Sequence, residues 1–259
     1  MKYSLFSGGK RFRAVLVIEA AKSLGGKPED VLPTACAAEY IHTYSLIHDD
    51  LPAIDDDDLR RGKPTCHKVF GEDIAILAGD ALFAEAFRLI SAEQKAGDAD
   101  IVVRVINELA TASGVTGMVG GQVVDIKSEG LEIDAATLDF IHEKKTGELI
   151  KASVRAGAML AGAKEGQLGF LTDYAKYLGL AFQITDDILD VIGDTLVLGK
   201  TVGSDSRQEK ATYPKVHGLE KAKYMAKLMA DKAKDALREL NGSGNVLAAL
   251  ADFVYEREY

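Results

Sequence analysis

The chain has 259 residues, 47% hydrophobic and 27% charged, with a net charge of -9, which is the composition of a globular protein with a sizeable apolar core. The negative charge argues against a nucleic acid as the main partner, and no run of about 18 uncharged apolar residues could span a membrane. Without a signal-peptide pattern or a disulfide framework, the cytoplasm is the expected location.

Apolar residues repeat at helical spacing along nearly the whole chain. Residues 14–24 ("AVLVIEAAKSL") predict a helix, and residues 74–90 ("IAILAGDALFAEAFRLI") are apolar almost all round, which predicts a buried one. Residues 227–240 ("KLMADKAKDALREL") carry one apolar stripe opposite charges, which predicts an outer helix. No segment alternates convincingly as a strand. We therefore expect a single all-α domain over residues 1–259, with roughly ten helices.

Breaks between helices are expected where glycine and proline interrupt this periodicity. They fall at 25–28, 62–64, 97–100, 130–134, 162–166, 193–203 and 241–244.

The first acidic segment, residues 49–58, reads "DDLPAIDDDD". Asp49 and Asp55 are six residues apart and would not share a face of an ideal helix. Pro52 disfavours helical dihedrals at Leu51, so we expect a helix to end near Asp49 and Asp50 and the chain to fold back at Asp55.

The second acidic segment, "FQITDDILDVIGD" (182–194), places Asp186 and Asp190 one helical turn apart among apolar residues, with Asp187 beside them. Such a pair needs a cation, unless the segment is merely a solvated acidic face. Oxygen ligands without nearby cysteine favour Mg²⁺ over Zn²⁺, and Mg²⁺ commonly takes phosphate oxygens as further ligands. The two acidic segments therefore predict a polyphosphate held between them by metal ions.

Basic residues lie close to the acidic segments and next to glycines. "GGKRFR" (8–13) supplies Lys10 and Arg13, and "RRGKP" (60–64) supplies Arg60 and Arg61. Each cluster alone is typical of a solvated patch. Together with Lys145, Lys200 and Lys210, they predict diphosphate-binding clamps.

Six motifs occur here in the order seen in trans-isoprenyl diphosphate synthases, members of the polyprenyl synthetase family. They are "GGKRFR", "YSLIHDDLPAIDDDDLRRGKPT", "GMVGGQVVDI", "KKTGELI", "AFQITDDILDVIGD" and "LGKTVGSDSRQEKATYP". The resemblance covers essentially the whole chain. It implies the all-α isoprenoid synthase fold around a central cavity, a homodimer, and head-to-tail transfer of an allylic diphosphate's prenyl group to isopentenyl diphosphate.

The resemblance also implies roles for individual residues. Three Mg²⁺ ions, with Mn²⁺ as the alternative, are expected at the acidic side chains Asp49, Asp50, Asp55, Asp186, Asp187 and Asp190. Of these, Asp49, Asp55 and Asp186 resemble the direct ligands. Isopentenyl diphosphate is expected at Lys10, Arg13, His42 and Arg61. The allylic diphosphate and the reacting carbon are expected at Arg60, Lys145, Thr146, Gln183, Lys200 and Lys210.

Two departures from the family pattern are present. Ala14 follows Arg13 where the family usually has proline, which removes no charge. Only nine residues precede Lys10, whereas relatives typically carry another helix or so, which puts the outer packing in question more than the chemistry.

Product length is expected to depend on what blocks the cavity below the first acidic motif. Tyr44 and Ser45 lie five and four residues before Asp49, about one helical turn away. An aromatic residue at the fifth position resembles the bacterial fifteen-carbon type, so farnesyl diphosphate is the expected product. The alternatives are that Tyr44 is an ordinary core residue and that the product is geranylgeranyl diphosphate.

Two rival functions share parts of this pattern. A terpene cyclase also uses an Asp-rich motif with Mg²⁺, but it needs only one diphosphate and has a different second motif. A non-catalytic subunit typically lacks one of the two Asp-rich motifs. Because both motifs and two basic sets are present, prenyl coupling is favoured.

The segment 117–126 is expected to let two helices approach through Gly117, Gly120 and Gly121, with Gln122 and Asp125 as weaker candidates for the cavity.

Overall fold

The structure is a computed structural model that describes residues 1–192, 211–240 and 243–257, so Lys200 and Lys210 lie outside the described residues. The α-helices in these ranges are α1 (Lys2–Leu5), α2 (Phe12–Lys22), α3 (Pro28–Asp49), α4 (Cys66–Phe70), α5 (Glu72–Glu93), α6 (Ala99–Ser113), α7 (Met118–Ser128), α8 (Ala135–Ile141), α9 (Glu148–Leu160), α10 (Glu165–Ile192), α11 (Tyr213–His217), α12 (Leu219–Ala236) and α13 (Asn245–Glu256). A π-helical turn (His142–Gly147) joins α8 to α9, and a 3₁₀ turn (Arg238–Leu240) follows α12. The all-α prediction is confirmed. Within the described ranges, no helix combines the length and the apolar composition that crossing a bilayer requires.

One short β-hairpin interrupts the helices. Strand β1 (Leu59–Arg60) pairs antiparallel with β2 (Lys63–Pro64), and Arg60 lies opposite Lys63. Arg61 and Gly62 between them have φ of 55° and 72°, the left-handed conformations of a tight hairpin turn. Sequence periodicity predicted no strand here because two residues are too few to alternate.

Four of the predicted breaks, at 25–28, 97–100, 130–134 and 162–166, fall between consecutive helices, and the break at 62–64 falls in the hairpin. The break at 193–203 and the first half of that at 241–244 lie outside the described residues. Glycines in the other five breaks, at positions 25, 62, 97, 130 and 162, adopt the positive φ that glycine tolerates best. Further helix ends at Gly71 and Gly114, together with the π-helical turn, were not predicted.

The core consists of two apolar clusters with α9 at their centre. One cluster surrounds α10 and includes residues of α2, α12 and α13, and the other surrounds α3 and includes residues of α5 and α6. Ten of the thirteen residues of α9 are buried, and this helix packs against α2, α3, α6 and α10. Small residues permit the close approach, since a Cβ on Gly157 would overlap the backbone of Val17 in α2.

Of two helices predicted from their apolar patterns, one is buried as predicted and the other is not. The stripe of the predicted outer helix is buried at Met229, Ala233, Leu237 and Leu240, as expected. Helix α5 buries one face, but its first turns leave Ile74, Ile76 and Leu77 exposed in the single chain. The prediction of a helix buried all round is therefore wrong for the single chain, because no element in its described ranges covers this face.

Candidate active site

A cavity of about 590 Å³ lies between the ends of α3 and α10, the π-helical turn and the hairpin. Side chains from both acidic motifs and from the basic segments line it. They include Asp49, Asp55, Asp57, Asp186, Asp187, Arg13, His42, Arg60, Arg61, Lys145, Thr146 and Gln183. Residues more than 130 positions apart in sequence therefore share one cavity.

The chain folds back directly after α3. This helix ends at Asp49, and the backbone N–H of Asp55 donates to the carbonyl of Asp49 at 2.8 Å. Ile54 N–H donates to the carbonyl of Leu51 at 2.9 Å, which closes the turn around Pro52. The fold-back predicted from Pro52 is confirmed, and it brings the carboxylates of Asp49 and Asp55 to the same cavity.

Asp50 points to a different partner. Its side chain is buried and accepts from Nε of Arg60 at 2.8 Å, with Nη2 of Arg60 also in contact. The same Nη2 donates to Asp57 at 3.3 Å. Burial raises the pKa of Asp50 to about 6, although Arg60 acts in the opposite direction. Asp50 does not line the cavity, whereas Arg60 does, so the pair fixes Arg60 in the cavity wall.

Three further basic or imidazole side chains line the cavity beside the hairpin. Arg13 is buried, which lowers its pKa to about 10, and its Nε has no hydrogen-bond partner among the described residues. Arg61 donates to the carbonyl of Gly8 at 2.5 Å and lies across Gly9, where a Cβ would overlap the guanidinium. Burial, followed by the positive charge of Arg13, holds the pKa of His42 well below its usual value, so His42 is neutral among these cations.

Lys10 lies outside the cavity lining. Its Nζ is 4.7 Å from the ring centroid of Phe253 in α13. Burial and the nearby charge of Arg257 lower the pKa of Lys10, while Asp186 opposes them. Lys10 is therefore close enough to the second acidic motif to respond to its charge.

The π-helical turn presents Lys145 and Thr146 to the cavity. Nζ of Lys145 donates to Asp125 at 2.6 Å, and the hydroxyl of Thr146 donates to Oε1 of Gln183 at 2.8 Å. Burial acts to lower the pKa of Lys145, but the carboxylates of Asp125, Asp49 and Asp55 outweigh it and raise this pKa above its usual value. Lys145 is therefore a cation held within the electrostatic reach of the first acidic motif.

Glycine allows α7 to lie directly against this turn. A Cβ on Gly121 would overlap the backbone nitrogen of Lys145, so the predicted close approach is confirmed at this position. A Cβ on Gly117, which precedes α7, would overlap the carbonyl of Ala112 in α6, so the end of α6 also lies close to the start of α7 there. A Cβ on Gly120 would overlap the carbonyl of Val115, in the connection between the two helices. Gln122 lines the cavity, and its buried Nε2 has no partner among the described residues.

The aspartates of the second motif have different surroundings. Asp186 lines the cavity and accepts from Arg257 at 2.6 Å. Asp187 is buried and accepts from the backbone N–H of Tyr213 at 2.9 Å and from Nε2 of Gln183 at 3.1 Å. Asp190 is buried and does not line the cavity.

Three residues near the site were missed by sequence reasoning. Arg257 stacks its guanidinium 4.1 Å from the ring centroid of Phe182 while it binds Asp186. His142 and Tyr213 stack their rings at 5.2 Å beside Asp187. No local pattern marks Arg257, whereas Tyr213 stands in the segment "ATYP", within a motif that carries the family resemblance.

Aromatic side chains close one side of the cavity. Tyr44 lines it and packs against Phe83 at 4.7 Å and His48 at 5.7 Å between ring centroids. Phe83 in turn packs against Phe87 at 5.1 Å. Burial, with a smaller contribution from Asp49, raises the pKa of Tyr44 to about 12. Ser45 also lines the cavity and donates to the carbonyl of His42 at 2.9 Å.

The carboxylates fit a magnesium ion that also binds a phosphate. Across the described ranges, no three His, Cys, Asp or Glu side chains are close enough to hold a metal ion by themselves. Mg²⁺ is usually bound by one or two carboxylates, with substrate phosphates and water completing its shell. Carboxylates from two motifs in one cavity are therefore a suitable donor set for metal ions that bridge to a diphosphate.

Comparison with known proteins places the chain in one family. The family model described as Polyprenyl synthetase matches residues 1–242. A geranylgeranyl diphosphate synthase of Cyanophora paradoxa is 48% identical over 258 residues, which cover 99% of this chain and 86% of that protein. A farnesyl diphosphate synthase of Geobacillus stearothermophilus is 47% identical, with 100% of this chain and 88% of that protein covered.

A solved structure has the same fold. The geranyltransferase of Helicobacter pylori, complexed with magnesium and isoprenyl diphosphate, superimposes on this chain with a TM-score of 0.85. It is 34% identical, and the match covers 97% of this chain and 85% of that chain. The chain belongs to the polyprenyl synthetase family and is a prenyltransferase.

Proposed function

We propose that the protein condenses isopentenyl diphosphate with dimethylallyl or geranyl diphosphate, head to tail, to give farnesyl diphosphate and diphosphate. The observation that carries this proposal is the lining of one cavity. Carboxylates of both acidic motifs lie there with Arg13, Arg60, Arg61 and Lys145, and the aromatic ring of Tyr44 closes its apolar side. This lining suits a ligand with a diphosphate head and a short hydrocarbon tail.

Mg²⁺ is the proposed cofactor, with Asp49, Asp55 and Asp186 as direct ligands and Mn²⁺ as the alternative ion. When bound, the ions would neutralise the negative charge of the departing diphosphate. The proposal is supported by the oxygen-only donor set and by the related Helicobacter pylori structure, which was complexed with magnesium. Asp50, Asp187 and Asp190 complete the motifs, and their buried positions suit residues that orient the rest of the site.

The first proposed step is cleavage of the allylic C–O bond. Its electron pair leaves with the diphosphate, on which Arg60 and Lys145 stabilise the developing negative charge. Lys200 and Lys210, outside the described residues, are proposed to assist them. The hydroxyl oxygen of Thr146, the amide of Gln183 and the carbonyl of Lys145 direct dipoles toward the allylic cation.

The second step forms the new carbon–carbon bond. Lys10, Arg13, His42 and Arg61 are proposed to hold isopentenyl diphosphate so that its double bond attacks the allylic carbon. The resulting cation loses a proton to an oxygen of the released diphosphate, and a new double bond forms. No side-chain base is needed, and the apolar wall protects the cation from water.

Tyr44 is proposed to limit the product to fifteen carbons because its ring lies at the cavity wall, in edge contact with the ring of Phe83. Geranylgeranyl diphosphate is the second candidate product. It is favoured by the similarity to the Cyanophora paradoxa enzyme, which carries that name.

A homodimer is proposed from the surface of the chain. Leu77 is 62% exposed on α5 and Val103 is 63% exposed on α6, and Ile74 and Ile76 adjoin Leu77. Exposed apolar side chains close together on one helix, here Ile74, Ile76 and Leu77 of α5, mark an association surface. A second copy of the chain is the partner that the family resemblance implies.

The proposed function is tested by incubating purified protein with Mg²⁺, labelled isopentenyl diphosphate, and dimethylallyl or geranyl diphosphate, followed by product sizing after phosphatase treatment. Farnesol as the main alcohol is the expected result. Geranylgeraniol would replace the fifteen-carbon assignment with the second candidate. Cyclic hydrocarbon formed without consumption of isopentenyl diphosphate would indicate a cyclase and contradict the proposal, as would no turnover.

A further inference from the structure

A directed chain of hydrogen bonds joins three side chains of the cavity wall. The hydroxyl of Thr146 donates to Oε1 of Gln183 at 2.8 Å, and Nε2 of Gln183 donates to Oδ1 of Asp187 at 3.1 Å. Thr146, Gln183 and Asp187 all line the cavity, and Asp187 is only 3% exposed. The chain therefore links a side chain at the reacting centre to a buried carboxylate.

The carboxylate decides the direction of every donor in this chain. An ionised Asp187 can only accept hydrogen bonds, so Gln183 must turn its NH₂ group toward it. The amide oxygen of Gln183 then faces Thr146, which must donate its only hydroxyl hydrogen to that oxygen. The remaining lone pairs of the Thr146 oxygen are left for the cavity.

Asp187 is itself held in place from the far side. Its Oδ2 accepts from the backbone N–H of Tyr213 at 2.9 Å and lies 3.4 Å from Nε2 of His142. The Tyr213 ring is fully buried, stacks on His142 and bonds through its hydroxyl to Asp139. The orientation of the Asp187 carboxylate is therefore fixed by groups that do not themselves line this cavity.

We propose that Asp187 is a positioning residue that sets the polarity of this chain, so that the oxygen of Thr146, and not its hydrogen, faces the allylic carbon as positive charge develops there. A lone pair stabilises that charge, whereas an O–H hydrogen would oppose it. The inference rests on the proposed function, because it requires a cation to form beside Thr146. It gives Asp187 a role different from metal ligation.

The substitution Asp187→Asn reverses the direction of these hydrogen bonds with almost no change in the shape of the side chain. Tyr213 N–H still requires an acceptor, so the new side chain turns its oxygen to Tyr213 and its NH₂ group to Gln183. Gln183 then turns over and donates to Thr146, whose own hydrogen is released toward the cavity. We expect kcat to fall by about 10- to 100-fold, while KM for both diphosphates changes by less than about 3-fold.

A double-mutant cycle with Thr146→Val separates this role from a structural one or from metal binding. Because valine has no hydroxyl to direct, Asp187→Asn should cost less than about 3-fold in kcat in that background. Asp173→Asn is the control, since it removes an exposed carboxylate from the same helix, α10, and takes no part in the hydrogen-bond chain. It should leave kcat unchanged in both backgrounds. The same loss from Asp187→Asn in both backgrounds would overturn the proposal.

Exchanging the carboxylate of Asp187 and the amide of Gln183 between the two positions gives a rescue test. In the double variant Asp187→Asn with Gln183→Glu, the new carboxylate accepts from both Thr146 and the new amide, so the original direction at Thr146 returns. We expect kcat within about 5-fold of the wild-type value and an unchanged half-saturating Mg²⁺ concentration. A folded exchange variant no more active than Asp187→Asn alone would contradict the proposal.

Circular dichroism and thermal melting establish folding for each variant. If Asp187→Asn does not fold, the folded exchange variant decides alone, and a loss greater than about 10-fold relative to wild type overturns the proposal. Wild-type protein without prenyl coupling in the same assay would refute the proposed function itself. If wild-type protein is active but Asp187→Asn lowers kcat equally with and without Thr146→Val, only the role of Asp187 is refuted.

Discussion

Neighbouring aspartates in one acidic segment have different environments. Asp49 and Asp55 line the cavity, Asp50 binds Arg60, and Asp58 pairs with Lys68 at 2.6 Å on the surface. Residue type alone does not distinguish them, because the differences arise from where the chain turns after α3. A test of individual roles therefore has matched controls within the same ten residues.

Asp49→Asn should lower kcat by about 10²- to 10³-fold, because it removes charge from the proposed site that stabilises the leaving diphosphate. Asp58→Asn should leave kcat within about 2-fold of wild type, since Asp58 is exposed and does not line the cavity. Steady-state kinetics with geranyl diphosphate measure both. Equal losses in the two variants would show that the cavity position of Asp49 is irrelevant.

Tyr44→Ala should yield products longer than farnesyl diphosphate, because the ring that closes the cavity is removed and space opens toward Phe83 and Phe87. Tyr40→Ala is the control, as Tyr40 precedes Tyr44 by one turn of α3 and does not line the cavity. Chromatography of the dephosphorylated products measures their length. An unchanged product spectrum for Tyr44→Ala would remove this residue as the limit on chain length.

At the residue scale, sequence reasoning worked where a local rule applied. Pro52 predicted the fold-back that brings Asp55 to Asp49. The ion pair between Asp186 and Arg257 joins residues 71 positions apart, so no local rule could predict it. The hydrogen-bond chain through Gln183 likewise depends on Tyr213, which reaches Asp187 only through the tertiary fold.

At the scale of elements, the π-helical turn between α8 and α9 determines where Lys145 and Thr146 lie. It packs directly on α7 because Gly121 has no side chain. Gly117, Gly120 and Gly121 predicted that two helices approach each other here; Gly121 lies against the π-helical turn, and Gly117 lies against the end of α6. The π-helical turn itself could not be predicted, since its wider winding has no distinctive composition.

Gly121→Ala should destabilise the protein by about 1–3 kcal/mol and reduce kcat, because the added methyl group must push the backbone of Lys145 away. Gly169→Ala in α10 is the control. Apart from the helix's own backbone and the two chain neighbours, no described atom lies within 4 Å of the added Cβ there, so a gain of up to about 1 kcal/mol is expected. Urea unfolding and kinetics measure both changes. A Gly121→Ala variant with wild-type stability and kcat would show that this packing does not position the turn.

At the scale of the whole molecule, the cavity lies where the two apolar clusters meet. Asp49 ends α3 in one cluster, and Asp186 belongs to α10 in the other, with α9 packed between these helices. Helical periodicity predicted the fold class, and the positions of glycine and proline predicted several of the helix ends. The exposed face of α5 was not predicted, because periodicity identifies apolar residues and does not reveal whether the same chain or another covers them.

Leu77→Asp should convert a dimer into a monomer, because a charge would be buried without a partner in the proposed interface. Light scattering coupled to size exclusion should give wild type a mass near twice the 27.8 kDa of one chain, and this variant a mass near 27.8 kDa. Leu131→Asp, at a residue 59% exposed in the loop between α7 and α8, should remain dimeric. If Leu77→Asp remains dimeric, the interface lies elsewhere.

The central claim is that the two acidic motifs bind one diphosphate through shared metal ions. The most direct measurement is a crystal structure with Mg²⁺ and an unreactive sulfur-bridged analogue of geranyl diphosphate. We predict metal ions that join Asp49, Asp55 and Asp186 to the oxygens of the same diphosphate, with the hydrocarbon tail against Tyr44. A diphosphate bound at only one motif, with no metal ion at Asp186, would contradict the account.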